Sequence, residues 1–253
     1  MNFRTLLVAI STYSAIPVPQ MQWNEKNMRY AICWFPVVGI LCGGALLLWH
    51  QLCRYYSING ILFSAVAVCL PLLITGGIHM DGYMDTVDAL ASHQSRDRKL
   101  EILKDSHCGS VAVLYCGIYM ILSFGVYYTL YAQECLPAAG LIYVISRAMS
   151  ACCAVILPRA RKNGMLNNFV GFTPSTPTVV ICSAVAVLAG TVMIWIAPIP
   201  GACAGCLLCG TTIFYRIMAI KQFGGVTGDT AGFYLQMSEL LMLAGLCIGG
   251  MIL

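Results

Sequence analysis

Seven stretches of about 20 mostly apolar residues run through this chain, and any fold it adopts must keep them away from water. They fall at approximately 31–53, 59–78, 110–131, 137–157, 177–197, 201–220 and 231–252. Of its 253 residues 59% are hydrophobic and only 9% charged, whereas an ordinary soluble domain is about 25% charged. The expected fold is therefore all-α: a polytopic integral membrane helical bundle of about seven transmembrane helices, forming one domain over 1–253. The stretch from Leu6 to Ile16 is too short to span and is broken by Pro17 and Pro19. Arg4 precedes it, yet no convincing small-x-small cleavage site follows. It reads as a retained interfacial or re-entrant segment rather than a signal peptide.

Lys and Arg orient the chain. Segments 1–30, 79–109, 158–176 and 216–230 hold twelve basic residues against Arg54 alone on the opposite side, while Arg147 falls inside a span. The positive-inside rule places those four segments in the cytoplasm and the C-terminus outside. The formal charge of +4 is spread over these loops with acidic residues among them, so it reflects topology and predicts no nucleic-acid partner. Nearly all of the fourteen cysteines lie within expected spans, among them Cys203 and Cys206, which have two residues between them but sit in an apolar stretch, and they read as small apolar packing residues, with Cys108 near the polar face.

The polar residues concentrate chemistry at one point. In Gly76-Gly77-Ile78-His79-Met80-Asp81-Gly82-Tyr83-Met84-Asp85-Thr86-Val87-Asp88 three carboxylates follow the second span. At i, i+4 and i+7 they lie within about 60° of one another on a helix. Three unneutralised acids on one stripe repel, and a divalent cation with all-oxygen ligation, Mg²⁺, Ca²⁺ or Mn²⁺, relieves them. Asp81, Asp85 and Asp88 are the candidate metal ligands and catalytic residues. His79, about 160° away on the same wheel, reads as structural. Lys104-Asp105-Ser106 and Arg159-Ala160-Arg161-Lys162 put cations on the same membrane face, suited to an anionic substrate whose phosphate oxygens are shared between a metal and Arg or Lys donors.

Gly224-Gly225-Val226-Thr227-Gly228-Asp229-Thr230 forms a glycine-rich turn into the last span. Its backbone amides at Gly228 and Asp229 could face an anion at a helix N-terminus, or Asp229 could simply cap that helix. Glu239 lies deeper, where an ionisable side chain is costly without a partner. Arg147 is the one basic residue of similar depth, so the two are expected to pair, with Arg147 otherwise a candidate phosphate ligand. There is no HExxH, GxSxG or heme motif, which leaves hydrolase and redox readings without support.

These residues resemble the integral-membrane cobalamin synthase (adenosylcobinamide-GDP ribazoletransferase) family. The likeness rests on the GG-x-H-x-DG-x-x-DT-x-D core at 76–88. It continues through Arg96-Asp97-Arg98 and Glu101-Ile102-Leu103-Lys104-Asp105-Ser106. Outside that region it includes Ile16-Pro17-Val18-Pro19, Phe35-Pro36-Val37-Val38-Gly39, Ser146-Arg147, Arg159-Ala160-Arg161 with Gly164, and the run 224–230. It implies a Mg²⁺-dependent transferase: α-ribazole, or its 5′-phosphate, joins adenosylcobinamide-GDP with release of GMP. It further implies Asp81, Asp85, Asp88, Lys104 and Asp105 as catalytic residues, and Arg147, Arg159, Arg161, Gly228 and Asp229 as substrate and phosphate contacts. The acid that serves as base is left open between the three helix acids and Asp105. The expected location is the bacterial or archaeal plasma (inner) membrane with a cytoplasmic active site; a homo-oligomer, or association with other cobalamin-assembly enzymes, is compatible with this.

Ala15, Ala89 and His107 stand where the family often carries Arg, Gly and Arg. A protonated His107 in place of arginine would make activity steeper with pH. Two other readings compete. A CDP-alcohol-type phosphotransferase uses similar chemistry with a longer acid spacing and would release CMP. A proton- or cation-coupled transporter suits the span count and the intramembrane charges, but the chain shows no internal repeat and crowds its polar groups on one face.

Overall fold

The computed structural model describes residues 3–19, 24–105, 107–133, 135–161, 166, 170–171 and 173–252. Ser106, Lys162 and Gly164, named above, lie outside the described residues. A short helix α1 (Phe3–Tyr13) and a single turn α2 (Glu25–Met28) precede a 3₁₀ turn (Ala31–Trp34) that runs straight into α3 (Phe35–Tyr55). Then follow α4 (Gly60–Thr75), α5 (Ile78–Ala91), α6 (Arg96–Ile102), α7 (Ser110–Tyr131), α8 (Leu136–Ile156), α9 (Ser175–Ile196) and α10 (Pro198–Met218). Helix α10 ends in a π turn (Ala219–Phe223), and α11 (Gly228–Ile252) closes the chain.

Six helices, counting Ala31–Tyr55 and Pro198–Phe223 as continuous, are long and apolar enough to cross a membrane, and α4 with α5 makes a seventh, bent candidate. The protein is thus a polytopic helical membrane protein. Its outer surface agrees: Leu73, Ile121, Val187, Leu188 and Trp195 are each more than two-thirds exposed, a penalty in water and none in lipid.

The centre is α8, lined on nearly every face by buried residues and packed against α3, α9 and α11. Small residues set its distances, because helices in lipid associate through close backbone contact. A Cβ on Gly39 or Gly43 of α3 would collide with the α8 backbone at Tyr143 and Gly140. Helices α10 and α11 repeat the device, Gly245 and Gly249 lying on Ala204 and Pro200. All fourteen cysteines are free thiols and eight of them are buried, in keeping with a packing role.

The second span departs from expectation. Instead of one rod running out through the acids, the chain stops at Gly76 and Gly77, which have φ of +66° and +77°. Two consecutive left-handed residues are tolerable only for glycine, and they turn α5 by 96° from α4. At 14 residues with three carboxylates, α5 is about 21 Å long, too short and too acidic to cross, and it lies outside the spans. It packs on α7 and on the first half of α11.

The buried charges meet as expected. Arg147 Nη1 lies 2.5 Å from Glu239 Oε1, with the two side chains 1% and 3% exposed. Ser146 Oγ donates to the same carboxylate at 2.8 Å and Arg147 also donates to the Tyr143 carbonyl at 3.1 Å. Removing one member of such a pair strands the other charge, at a cost of about 3–5 kcal/mol. Arg147→Met and Glu239→Met are each expected to destabilise the protein by that amount, and Arg147→Met/Glu239→Met by less than either, in denaturant titrations of protein reconstituted in nanodiscs. A double variant as unstable as the sum of the singles would contradict the pairing energetics.

Candidate active site

A cavity of about 330 Å³ opens where α1, the 3₁₀ turn, α5, α8, the 158–161 segment and the start of α11 meet. Its charged wall comprises Asp81, Asp229, Arg159 and Arg161, together with Thr227 and Gly228. These residues come from three distant parts of the chain, and each is held by an identifiable local device.

On α5 the acids keep the stripe that periodicity predicted, for Gly82, Tyr83, Thr86, Val87 and Ala89 are buried while Asp81 is exposed and Asp85 and Asp88 half-buried. Against that stripe lies the start of α11. A Cβ at Gly82 would sit 2.9 Å from Asp229 Cα, and one at Gly232 would sit 2.9 Å from the His79 carbonyl oxygen. The paired glycines let the two backbones touch, and Asp229 is thereby brought to Asp81 and Asp85. Asp229 is therefore no isolated residue of the turn but a fourth acid of the group. Nor is it the helix cap: Thr227 Oγ1 accepts the Thr230 amide at 3.1 Å, and Thr230 Oγ1 accepts the Thr227 amide at 2.9 Å. This reciprocal arrangement is a capping box with threonine at both ends, and the Asp229 carboxylate in turn accepts from Thr227 Oγ1 at 3.4 Å. The T-x-x-T spacing was the signal in the sequence.

The arginines are positioned by the glycine-rich run. Val226 N–H donates to the Pro158 carbonyl at 2.8 Å and Ala160 N–H to the Val226 carbonyl at 3.1 Å, a two-residue parallel bridge between Arg159 and Val226. Gly225, at φ +153°, has no room for a side chain against the 158–160 backbone. Arg159 donates to the Val170 carbonyl at 3.4 Å and Arg161 to the Leu100 carbonyl. The Arg161 charge also acts on Asp229.

Other expected site residues lie elsewhere. Arg147 is consumed by Glu239 in the bundle interior and does not line the cavity; it touches the site only through Phe35, whose ring centroid is 5.8 Å from its guanidinium carbon. Lys104 and Asp105 are exposed just after α6 and are off the cavity, whose nearest wall there is Leu103. Asp105 instead holds His107, Oδ1 to Nδ1 at 2.6 Å, which keeps its carboxyl below the usual range through that hydrogen bond. His107 thus sits outside the cavity with its partner. Asp88 also turns away from the cavity: its carboxylate fills the space a side chain on Gly109 would need, at the start of α7.

Electrostatically the acid group is unbalanced. Burial first, then Asp81, Asp229 and Asp88, push the Asp85 carboxyl up to about 7. Oxygen-only donors under mutual repulsion have the chemistry of a hard divalent-cation site. As the side chains stand, no three His, Cys, Asp or Glu among the described residues are drawn together tightly enough to grip an ion.

The fold and this cavity define a class: a multi-pass helical membrane protein carrying carboxylates and guanidinium groups in one cavity. The chain belongs to the cobalamin-5-phosphate synthase family, whose model matches residues 5–247. It is similar to proteins named adenosylcobinamide-GDP ribazoletransferase from three bacteria. That of Lachnoclostridium phytofermentans is 39% identical, over 96% of this chain and 92% of that protein. Those of Desulfitobacterium hafniense and Pseudomonas fluorescens are 32% and 30% identical, over 96% and 95% of this chain and 96% and 98% of theirs. No solved structure matches the chain.

The Asp85 shift has a thermodynamic consequence. Its folded-state value lies above the unfolded one near 4, so the folded form binds the proton more tightly; that contribution is whole below about pH 4 and is lost as pH rises through about 7. Metal-free protein should accordingly lose stability between about pH 4 and pH 7, and millimolar Mg²⁺ should restore more at the upper end, as measured by thermal unfolding in nanodiscs. Asp85→Asn should flatten both dependences.

Proposed function

We propose that this transferase joins the hydroxyl of α-ribazole, or of its 5′-phosphate, to the cobinamide-side phosphorus of adenosylcobinamide-GDP. The new P–O bond forms as the bond to the GMP phosphate breaks, GMP leaves, and adenosylcobalamin or its 5′-phosphate results. The observation that carries this reading is that Asp81, Asp229, Arg159 and Arg161 line one cavity, in a chain whose relatives bear that transferase name.

The chemistry asks little of the protein beyond placement and charge. Diphosphate cleavage piles negative charge on phosphoryl oxygens, and guanidinium groups fixed beforehand stabilise it without reorganising. Arg159 and Arg161 each already have one donor on a backbone carbonyl, so their remaining N–H groups are aimed by a preformed frame. The nucleophile is a plain alcohol, and alignment against the phosphorus supplies much of its activation. A carboxylate of the group on α5 and α11 takes the hydroxyl proton. Asp81, Asp85 and Asp229 would hold Mg²⁺, which when bound lowers the charge on the diphosphate and relieves their repulsion. Asp88, lying against Gly109, supports the group from outside. The Lys and Arg distribution supports a cytoplasmic position for this face, the compartment in which a nucleotide-activated substrate would be supplied.

Purified protein in nanodiscs, given adenosylcobinamide-GDP, ribazole phosphate and Mg²⁺, should release GMP and no CMP. Asp81→Asn, Asp85→Asn and Asp229→Asn should each lower kcat by about 10²-fold or more, with Asp88→Asn milder. A folded preparation that releases no GMP ends the assignment; GMP release unaffected by all four substitutions ends the site.

A further inference from the structure

The cavity has a second wall that the transfer of a phosphoryl group does not need. Besides the charged residues, three aromatic rings line it: Tyr13 of α1, Phe35 at the start of α3 and His79 of α5. Tyr13 and Phe35 have ring centroids 4.3 Å apart, and Phe35 and His79 5.4 Å. Beside them Ala151 and Ala154, on one face of α8, leave the space open because they carry only methyl groups. Arg147, itself outside the cavity, touches Phe35 and is anchored by Glu239, so the ring is braced at its back by an immobile pair.

Size decides what can enter. Ligand pockets run from about 300 to 1,000 Å³, and about 330 Å³ is room for one nucleoside. A corrinoid macrocycle with its amide side chains cannot be enclosed and must remain at the mouth. Two nucleosides then compete for the interior: the guanosine of the diphosphate substrate, or the acceptor. A guanine edge carries N–H donors and a carbonyl acceptor that need partners when buried. Among the described residues, the aromatic and alanine wall offers hydroxyls at Thr12, Tyr13 and Ser150 and the imidazole of His79, but no carboxylate or amide side chain. A fused ring with an apolar rim demands nothing more.

On the reading of the reaction given above, we propose that this wall is the acceptor subsite: it takes a nucleoside whose base is an apolar fused aromatic ring, with Phe35 and Ala154 as its specificity-determining residues. The ribose hydroxyl of such a ligand is then delivered toward Asp81, Asp229 and the arginines, while the base is held away from water. The guanosine half stays with the macrocycle at the mouth.

The test measures binding of α-ribazole alone, without corrinoid or Mg²⁺, by equilibrium dialysis to the protein in nanodiscs, beside the KM of each substrate. Wild-type protein should bind α-ribazole saturably, and adenosine, whose base carries an exocyclic amine, at least tenfold more weakly. Ala154→Leu, which fills the space, and Phe35→Leu, which removes the ring, should each raise the acceptor KM at least tenfold while leaving the adenosylcobinamide-GDP KM within twofold. Should Ala154→Leu fail to fold, Phe35→Leu carries the comparison. The proposal is overturned if wild-type protein does not bind α-ribazole alone, if the variants move the adenosylcobinamide-GDP KM instead, or if neither KM moves. Binding that Ala154→Leu abolishes, in protein that never releases GMP, would leave the subsite standing and remove the reaction; GMP release with acceptor KM values unmoved would do the reverse.

Discussion

Where α5 crosses α11 the two backbones touch, and the rest of the site follows from that contact. Gly82 meets Asp229 and Gly232 meets the His79 carbonyl, so neither helix can be displaced by a side chain's width without separating Asp229 from Asp81 and Asp85. Two further devices make the crossing available. The left-handed pair at Gly76 and Gly77 swings α5 out of line with α4, and the threonine capping box at 227–230 starts α11 without using Asp229. Irregular backbone among membrane helices is tolerated where it lines a cavity. The bend at 76–77 leads directly into one wall of the cavity, and the bridge between Arg159 and Val226 forms another.

Hydropathy made the bundle legible, since a span of apolar residues has few other destinations; the six long helices match the expected stretches closely. The acid stripe was legible too, because a period of 3.6 fixes which residues share a face. The direction in which that stripe points was not. It depends on the φ angles of two glycines, and a GG pair permits a bend without requiring one. The nearness of Asp229 to Asp81 and Asp85 was not legible, because those acids lie far upstream and no local pattern encodes that proximity; that Asp229 is not the helix cap was legible, in the threonines on either side of it. Lys104 and Asp105 fit the family pattern and the correct membrane face, yet α6 ends just before them and only Leu103 turns inward. Proximity in sequence to a motif is not proximity to its chemistry.

The Arg147–Glu239 pair shows how an apolar core tolerates charge. Glu239 accepts from Arg147 and from Ser146, Arg147 donates also to the Tyr143 carbonyl, and the guanidinium faces the rings of Phe35 and Tyr143 at 5.8 and 5.5 Å. A pair of this kind is weak evidence of stabilisation. Its effect here is positional, linking the middle of α8 and α11 to the aromatic side of the cavity, which neither charged residue reaches.

The walls of the cavity are drawn from nearly the whole length of the polypeptide, from Thr12 and Ile32 through Asp81 and Ser150 to Arg159 and Asp229. During synthesis the early helices would enter the bilayer with one side of the vestibule missing, and only docking of the terminal helix supplies the last carboxylate and shuts the gap. A nascent chain is therefore inert until its translation is almost finished, and a truncation that removes the final hydrophobic segment would abolish turnover by leaving a hollow rather than by damaging any reacting group.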